Sequence, residues 1–321
     1  MIEGRAFSPV FSQTKDSGLM RPPASTLEIG GRGRQETEIP QNKYSLVIID
    51  FHGTITDHQL RTIRAYHHSA HAALGVHLEK DFYHAALTRP AQHAAGAEKS
   101  RRGDTASTAQ TNRQFIQDQF GQSHGNQAAQ AMYDEFGRLM NEIYIPIPGA
   151  LRTMRQLREE GVEFAILTNG DNREVIQRQL EKWRLPDLAA NLYSHHLSGF
   201  KKPDVKAVNY ILTDYERKGK TFTPEQILLV GDYVEDVQAA HNMGMDSVLV
   251  IRGPGWERVK IREPRPTYVV TEVSDLAPIL HGTYPPLSGT EVYIPPVYWK
   301  NEDWDPKNGE PRSKQMPLHT Y

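Results

Sequence analysis

The chain has 321 residues, room for one large domain or two modest ones at roughly 100 to 200 residues each. Its 37 basic and 39 acidic residues leave a formal charge of −2, so no general field draws it to nucleic acid or to an anionic membrane. Cysteine is absent, which excludes disulfides, thiolate catalysis and Cys-based zinc sites. No apolar run approaches the roughly 18 residues that span a bilayer, and the N-terminal stretch carries no leader-like apolar core, so the expected location is the cytoplasm.

Residues 1 to 42 are rich in Gly, Pro, Ser and Thr without a sustained apolar period, and read as a mobile arm. Order is expected from about Lys43. Ser45 to Asp50 is apolar and β-branched on both faces before ending in a carboxylate, the pattern of a central parallel strand covered by helices. Residues 58 to 145 change character, with Ala, His and Gln abundant and Met132, Phe136, Leu139, Met140 and Ile143 at helical spacing. This predicts an inserted all-helical module, closed by the punctuation Pro146-Ile147-Pro148-Gly149.

Strand and helix then alternate. A helix carrying Leu151, Met154 and Leu157 precedes a strand over Phe164 to Thr168 and a helix from about Arg173 to Trp183. A further helix, spaced by Val205, Val208, Ile211 and Leu212, leads through a capped turn at Thr223 to Gln226 into a buried strand over Ile227 to Val230. A helix between Val234 and Gly244 and a strand over Ser247 to Ile251 follow. Such alternation predicts an α/β fold, a doubly wound, Rossmann-like parallel sheet spanning residues 43–57 and 146–281, with ligands at the carboxyl ends of its strands. From Gly282 onward seven of the 21 prolines and several aromatics gather. This tail reads as an extended segment wrapped on the core, or as a partner or homodimer contact.

Four separated segments each put a polar group at an expected strand end: Asp50-Phe51-His52-Gly53-Thr54, Leu167-Thr168-Asn169-Gly170, Gly199-Phe200-Lys201-Lys202-Pro203-Asp204, and Gly231-Asp232-Tyr233-Val234-Glu235-Asp236. Each alone has an ordinary reading as a turn, a solvated lysine or a helix cap. Their order and chemistry together resemble the four motifs of the haloacid dehalogenase superfamily, over about residues 45 to 280. The resemblance implies that Asp50 attacks phosphorus as a covalent nucleophile, and that Thr168 and Asn169 hydrogen-bond the transferred group. It further implies that Lys202 neutralises charge between Asp50 and substrate, and that Asp232 joins Asp50 and the His52 carbonyl on Mg²⁺, with Asp236 orienting that metal set from its edge. The helical insertion occupies the place where many members carry a cap, which would exclude water and select a small anionic substrate.

Family phosphatases usually carry a second Asp where this chain has His52. An imidazole can protonate a leaving oxygen and then activate water, so a phosphatase remains chemically reasonable. Cleavage of a carbon–halogen or carbon–phosphorus bond, and a catalytically silent binding protein, are the competing readings. Eight of the 14 histidines lie between His52 and His93; the pair His67 and His71 lacks the third ligand a zinc site needs. Arg89, Lys99, Arg101, Arg102 and Arg113 read as solvated helix faces that could also meet an anion.

Overall fold

The computed structural model describes residues 42–79, 81–83, 85–87, 108–170, 173–251, 258–260, 263–289, 291–293, 304–305 and 310–311. The expected N-terminal arm, the basic residues Arg89, Lys99, Arg101 and Arg102, and most of the C-terminal tail lie outside these residues.

Strand β1 (Leu46–Ile49) is the centre of a six-stranded sheet in which it pairs in parallel with β2 (Glu163–Thr168) on one side and β4 (Ile227–Gly231) on the other. Beyond β2 lies β3 (Leu192–Ser194); beyond β4 lie β5 (Asp246–Val250) and β7 (Tyr268–Val270), giving the order β3-β2-β1-β4-β5-β7 with every pairing parallel. A two-stranded ribbon of β6 (Arg258–Lys260) and β8 (Glu291–Tyr293) stands outside this sheet.

Side chains alternate across a strand, so continuous apolar runs supply two cores at once. Val47, Ile49, Phe164, Ile166, Leu228 and Val230 enter one buried cluster, and Leu46, Ile48, Ala165, Leu167, Ile227 and Leu229 enter another. The first cluster takes in residues of α4 (Ala150–Glu159), α5 (Arg173–Lys182), α6 (Pro186–Ala190) and, later in the chain, Leu276–Leu280. The second takes in residues of α7 (Val205–Arg217) and α8 (Val234–Asn242). Each such buried aliphatic or aromatic side chain contributes about 1.5 to 3 kcal/mol.

Between β1 and α4 the described residues form helices and no strand. Helix α1 (His58–Leu74) starts on Asp57, whose carboxylate accepts from the Leu60 N–H at 2.9 Å, and stops at Gly75 in the left-handed conformation, φ 67°. It packs with α2 (Thr108–His124) and α3 (Asn126–Glu142) around Ile63, Tyr66, Phe115, Met132 and Phe136, with the Tyr66 and Phe136 rings stacked 4.2 Å apart. This cluster shares no residue with the two cores of the sheet. The chain enters and leaves the module side by side: Asp57 N–H donates to the Ile145 carbonyl at 2.8 Å, and Ile147 N–H to the Ile55 carbonyl at 2.9 Å.

The three-residue strands β3 and β7 and the short helix α6 go beyond the sequence expectation. Three residues carry too little periodicity to distinguish a strand from a loop, and these strands exist because β2 and β5 offer them an edge.

Candidate active site

The register aligns the strand ends. Ile49 of β1 pairs with Ile166 and Val230, so Asp50 emerges one step later, level with Leu167 near the end of β2 and with Gly231 at the end of β4, where the connections diverge to opposite sides. Its N–H still donates to the Val230 carbonyl at 2.8 Å. The chain then tightens: Gly53 N–H donates to the Thr56 carbonyl at 2.8 Å, and Phe51 O accepts from both the N–H and the hydroxyl of Thr56. Gly53 has φ 82°, and a Cβ there would sit 1.9 Å from Oδ2 of Asp232. Glycine is needed twice over, for the left-handed turn and for the carboxylate lying against it. Gly231 plays the second part for Asp236, whose Cγ would lie 2.0 Å from an added Cβ.

Asp50, Lys202 and Asp236 form a buried triad. The Lys202 ammonium donates to Oδ1 of Asp50 at 2.6 Å and to Oδ1 of Asp236 at 2.5 Å, and none of the three is more than 8 % exposed. Oδ2 of Asp236 accepts from the Tyr233 N–H at 3.1 Å, so both its oxygens are engaged and it anchors Lys202 to the start of α8. Burial alone would pull the Lys202 pKa down, but the two carboxylates outweigh it and hold the ammonium charged above its ordinary value. Burial pushes Asp50 up to about 6 against the pull of Lys202. Asp232, enclosed and beside the charges of Asp50 and Asp236, is pushed well above the ordinary carboxylate range.

The motif after β2 divides its work. The Asn169 side chain receives the Lys202 N–H at 2.8 Å and donates to the Lys202 carbonyl at 3.1 Å, so it clamps the backbone that delivers the ammonium. Thr168, 1 % exposed, accepts from the Gly170 N–H at 3.0 Å, which leaves its hydroxyl proton available to a ligand. Sequence reasoning assigns both residues to the transferred group; the structure brings both to the strand ends but commits one side of Asn169 to Lys202.

His52 points toward the helical module. Its Nδ1 lies 3.1 Å from Nη1 of Arg61 on α1, its ring stacks 6.1 Å from Tyr144, and its Nε2 lies 3.1 Å from where a Cβ on Gly170 would be. Burial first, then the Arg61 charge, hold its pKa well below the usual histidine value. Arg61 is itself only 5 % exposed, with its guanidinium 4.3 Å from the Tyr144 ring centre. Sequence reasoning missed Arg61 and Tyr144. The available signal was an arginine in phase with the buried face of α1, at i and i+4 with Ala65.

Among the described residues no three His, Asp or Glu side chains converge as a preformed metal cage. Mg²⁺ does not require one, since it takes one or two carboxylates together with substrate oxygens and waters. Asp50, Asp232 and Asp236 are opposed by one ammonium; burial first, and then the neighbouring carboxylate charges, raise Asp50 and Asp232, and a divalent cation would favour their ionised forms. The donor set fits such an ion. His67, His68, His71 and His77 instead line a separate cavity of about 550 Å³ with Glu135 and Arg138, and His67 Nδ1 is paired with the Tyr83 hydroxyl at 3.1 Å. Arg113 lies over the Tyr133 ring at 4.9 Å.

In this parallel α/β sheet acidic and basic side chains gather at the carboxyl ends of the strands, the place where Rossmann-like folds bind their ligands. The family model of haloacid dehalogenase-like hydrolases matches residues 47–250, and the chain belongs to that family. A phosphoglycolate phosphatase of Pseudomonas putida is 31 % identical over 149 residues, 46 % of this chain and 51 % of the relative. A glyceraldehyde 3-phosphate phosphatase of Pyrococcus furiosus is 29 % identical over 135 residues, 42 % of this chain and 54 % of the relative. The chain thus spans about half the length of these curated relatives. Among solved structures, a HAD-hydrolase of Bacillus subtilis bound to magnesium superposes with a TM-score of 0.59 at 22 % identity, covering 74 % of this chain and 99 % of the other. A HAD family hydrolase of Deinococcus radiodurans with bound phosphate and sodium gives 0.51 at 20 % identity, covering 77 % and 100 %. At these identities the structural likeness concerns the fold.

Proposed function

We propose that this hydrolase is a Mg²⁺-dependent phosphatase of small phosphorylated metabolites, working through a phosphoryl-Asp50 intermediate. The observation that carries this reading is the buried Asp50–Lys202–Asp236 triad, with the ammonium 2.6 Å from one nucleophile oxygen and 2.5 Å from its anchor. An oxygen of Asp50 attacks phosphorus, the bond to the leaving oxygen breaks, and water then attacks the phosphorus to free Asp50 and phosphate. Lys202 fixes the Asp50 rotamer and offsets the negative charge brought by the substrate, while Thr168 and the free N–H of Asn169 donate to phosphoryl oxygens. Asp50, Asp232 and the His52 carbonyl would hold Mg²⁺, with Asp236 as the Lys202 anchor at the edge of that set. The ion would supply electrostatic stabilisation of the charge that builds up on the transferred group. Residues 58–145 act as the cap that selects the substrate. The phosphatase names of the relatives support this substrate class, and the intact carboxylate pair supports the metal-using branch over carbon–halogen cleavage.

A screen of small phosphate esters with and without Mg²⁺, reading both phosphate and halide, tests this reading. Phosphate release that needs Mg²⁺ and disappears in Asp50→Asn is expected. Halide release, or phosphate release unaffected by Asp50→Asn, would overturn it.

A further inference from the structure

We propose that Arg61, carried on the first helix of the helical module, is a positioning residue that fixes the His52 imidazole as a neutral Nε2–H donor facing the loop after β2. This rests on the phosphatase reading only for the identity of the oxygen that receives the hydrogen bond.

A guanidinium has only donors and stays charged in proteins. With Nη1 of Arg61 3.1 Å from Nδ1 of His52, Nδ1 must be the acceptor, and the imidazole proton lies on Nε2. The opposite tautomer would set two N–H groups against each other, and the doubly protonated ring would do the same with a second positive charge. Arg61 is therefore the group that selects the tautomer.

Arg61 is poorly explained as a structural residue. It is 5 % exposed, yet among the described residues no carboxylate pairs with it, and its Nε–H is buried without a partner. Buried charges are ordinarily paired. Its side-chain partners are the His52 ring nitrogen and Tyr144, which it meets through the ring face and through a side-chain hydrogen bond, and Tyr144 in turn stacks on the His52 ring at 6.1 Å and 29°. Arginine and tyrosine thus grip the same imidazole, one through its nitrogen and one through its face.

The third side of the grip is backbone. Nε2 and Cδ2 of His52 would lie 3.1 and 3.3 Å from a Cβ on Gly170, so the ring fits against a residue that has none. This directs the Nε2–H toward the loop holding Thr168 and Asn169, where the phosphoryl group is proposed to sit. Position 52 then works as a fixed donor: the leaving oxygen accepts a hydrogen bond from Nε2–H as its bond to phosphorus breaks, and takes its proton from water. Because Arg61 belongs to α1 while His52 and Gly170 belong to strand-end loops, the donor is aligned only when the module is seated on the sheet.

Long-range ¹H–¹⁵N correlation of ¹⁵N-histidine-labelled full-length protein reads the tautomer directly, with His52→Gln to identify the signal. We expect His52 to be a single Nε2–H tautomer in the wild type, a mixture or the reverse in Arg61→Met, and largely restored in Arg61→Lys, which keeps a charged donor. In single-turnover phosphorylation, Arg61→Met should lower the rate with an alkyl phosphate about tenfold more than with p-nitrophenyl phosphate, because a good leaving group needs little help from a donor. The apparent KM for either ester should change far less than the rate. Gly170→Ala crowds the ring from the other side without touching Arg61, but its methyl would also lie 3.1 Å from the Thr168 hydroxyl; it is therefore read by the tautomer, which it should disturb, and serves if Arg61→Met does not fold. An Nδ1–H tautomer in the wild type, or a tautomer unchanged by Arg61→Met, would overturn the proposal. Equal loss across the leaving-group series would do so as well. Absence of phosphate release from the wild type would sink the phosphatase reading alone, since the tautomer measurement stands without turnover.

Discussion

Asp232 lies against a bare glycine with two other acids in range and, among the described residues, no ion-pair partner, an arrangement that costs the folded protein stability in the absence of metal. Desolvation and the charges of Asp50 and Asp236 both act against its ionised form. Asp232→Asn keeps the shape and removes the repulsion, so the metal-free variant should gain about 0.5 to 2 kcal/mol, the usual yield of relieving a functional strain. Mg²⁺, which stabilises the wild type in proportion to its binding, should no longer shift the melting temperature. Thermal melts with and without Mg²⁺ check both halves; a variant that is less stable than the wild type when metal-free, or still stabilised by Mg²⁺, would remove Asp232 from the metal set. At this scale Asp50 and Asp232 were legible because each directly follows an apolar strand, whereas Lys202 follows the short helix His195–Ser198 and was legible only as the lysine directly before Pro203. The clamp of Asn169 on Lys202 was not, because it joins residues 33 apart in sequence. Nor was the His52–Arg61 pair, since an arginine in a helix announces neither its direction nor its partner.

Single elements are pinned by polar contacts that no apolar pattern encodes. At the start of β1, Tyr44 is fully buried and its hydroxyl donates to Asp246 at 2.5 Å, while Lys43 reaches Asp246 at 3.2 Å and Thr267 donates to it at 2.9 Å. One carboxylate at the head of β5 thus ties the lead-in to β1 to the lead-in to β7, and helps a three-residue strand find its place at the sheet edge. Burial alone would raise the Asp246 pKa, but these hydrogen bonds outweigh it and hold it below the ordinary 3.8. A depressed folded-state pKa means the stabilisation is present in full above 3.8 and is lost as pH falls through the folded value. Asp246→Asn should therefore cost about 1 to 2 kcal/mol at pH 7 by urea denaturation, the lower part of the range for hydrogen bonds to a charge because the group is partly exposed. The gap between variant and wild type should narrow on going to pH 3. A gap that widens on acidification would show that the carboxylate is not the stabilising form. The long helices and the central strands were readable from periodicity alone; β3 and β7 depend on contacts of this kind.

On the scale of the whole molecule, the buried apolar side chains among the described residues sort into three clusters. Two clusters cover the faces of the sheet, and the third runs from Ile63 to Leu139 without sharing a residue with either. The described part of the insertion carries that third cluster, and its two ends run side by side, joined by the Thr56–Pro146 bridge and the Asp57–Ile145 hydrogen bond. Those ends are already as close as the ends of a β-hairpin, which two to five residues can close. Replacing residues 58–144 with a short Asn-Gly-containing turn should therefore leave the sheet and both of its cores able to fold. The shortened loop also costs less closure entropy than the one it replaces. The excised core should melt in one cooperative transition and keep its Mg²⁺-dependent stabilisation, because Asp50, Asp232, Asp236 and Lys202 all lie outside the deletion. It should discriminate less among phosphate esters, since the residues proposed to select substrate are gone along with Arg61 and Tyr144. Calorimetry and near-UV circular dichroism decide the structural half of this expectation. A broad, non-cooperative melt with exposed apolar surface would mean that the sheet needs the module to fold, and that the three clusters are one thermodynamic unit.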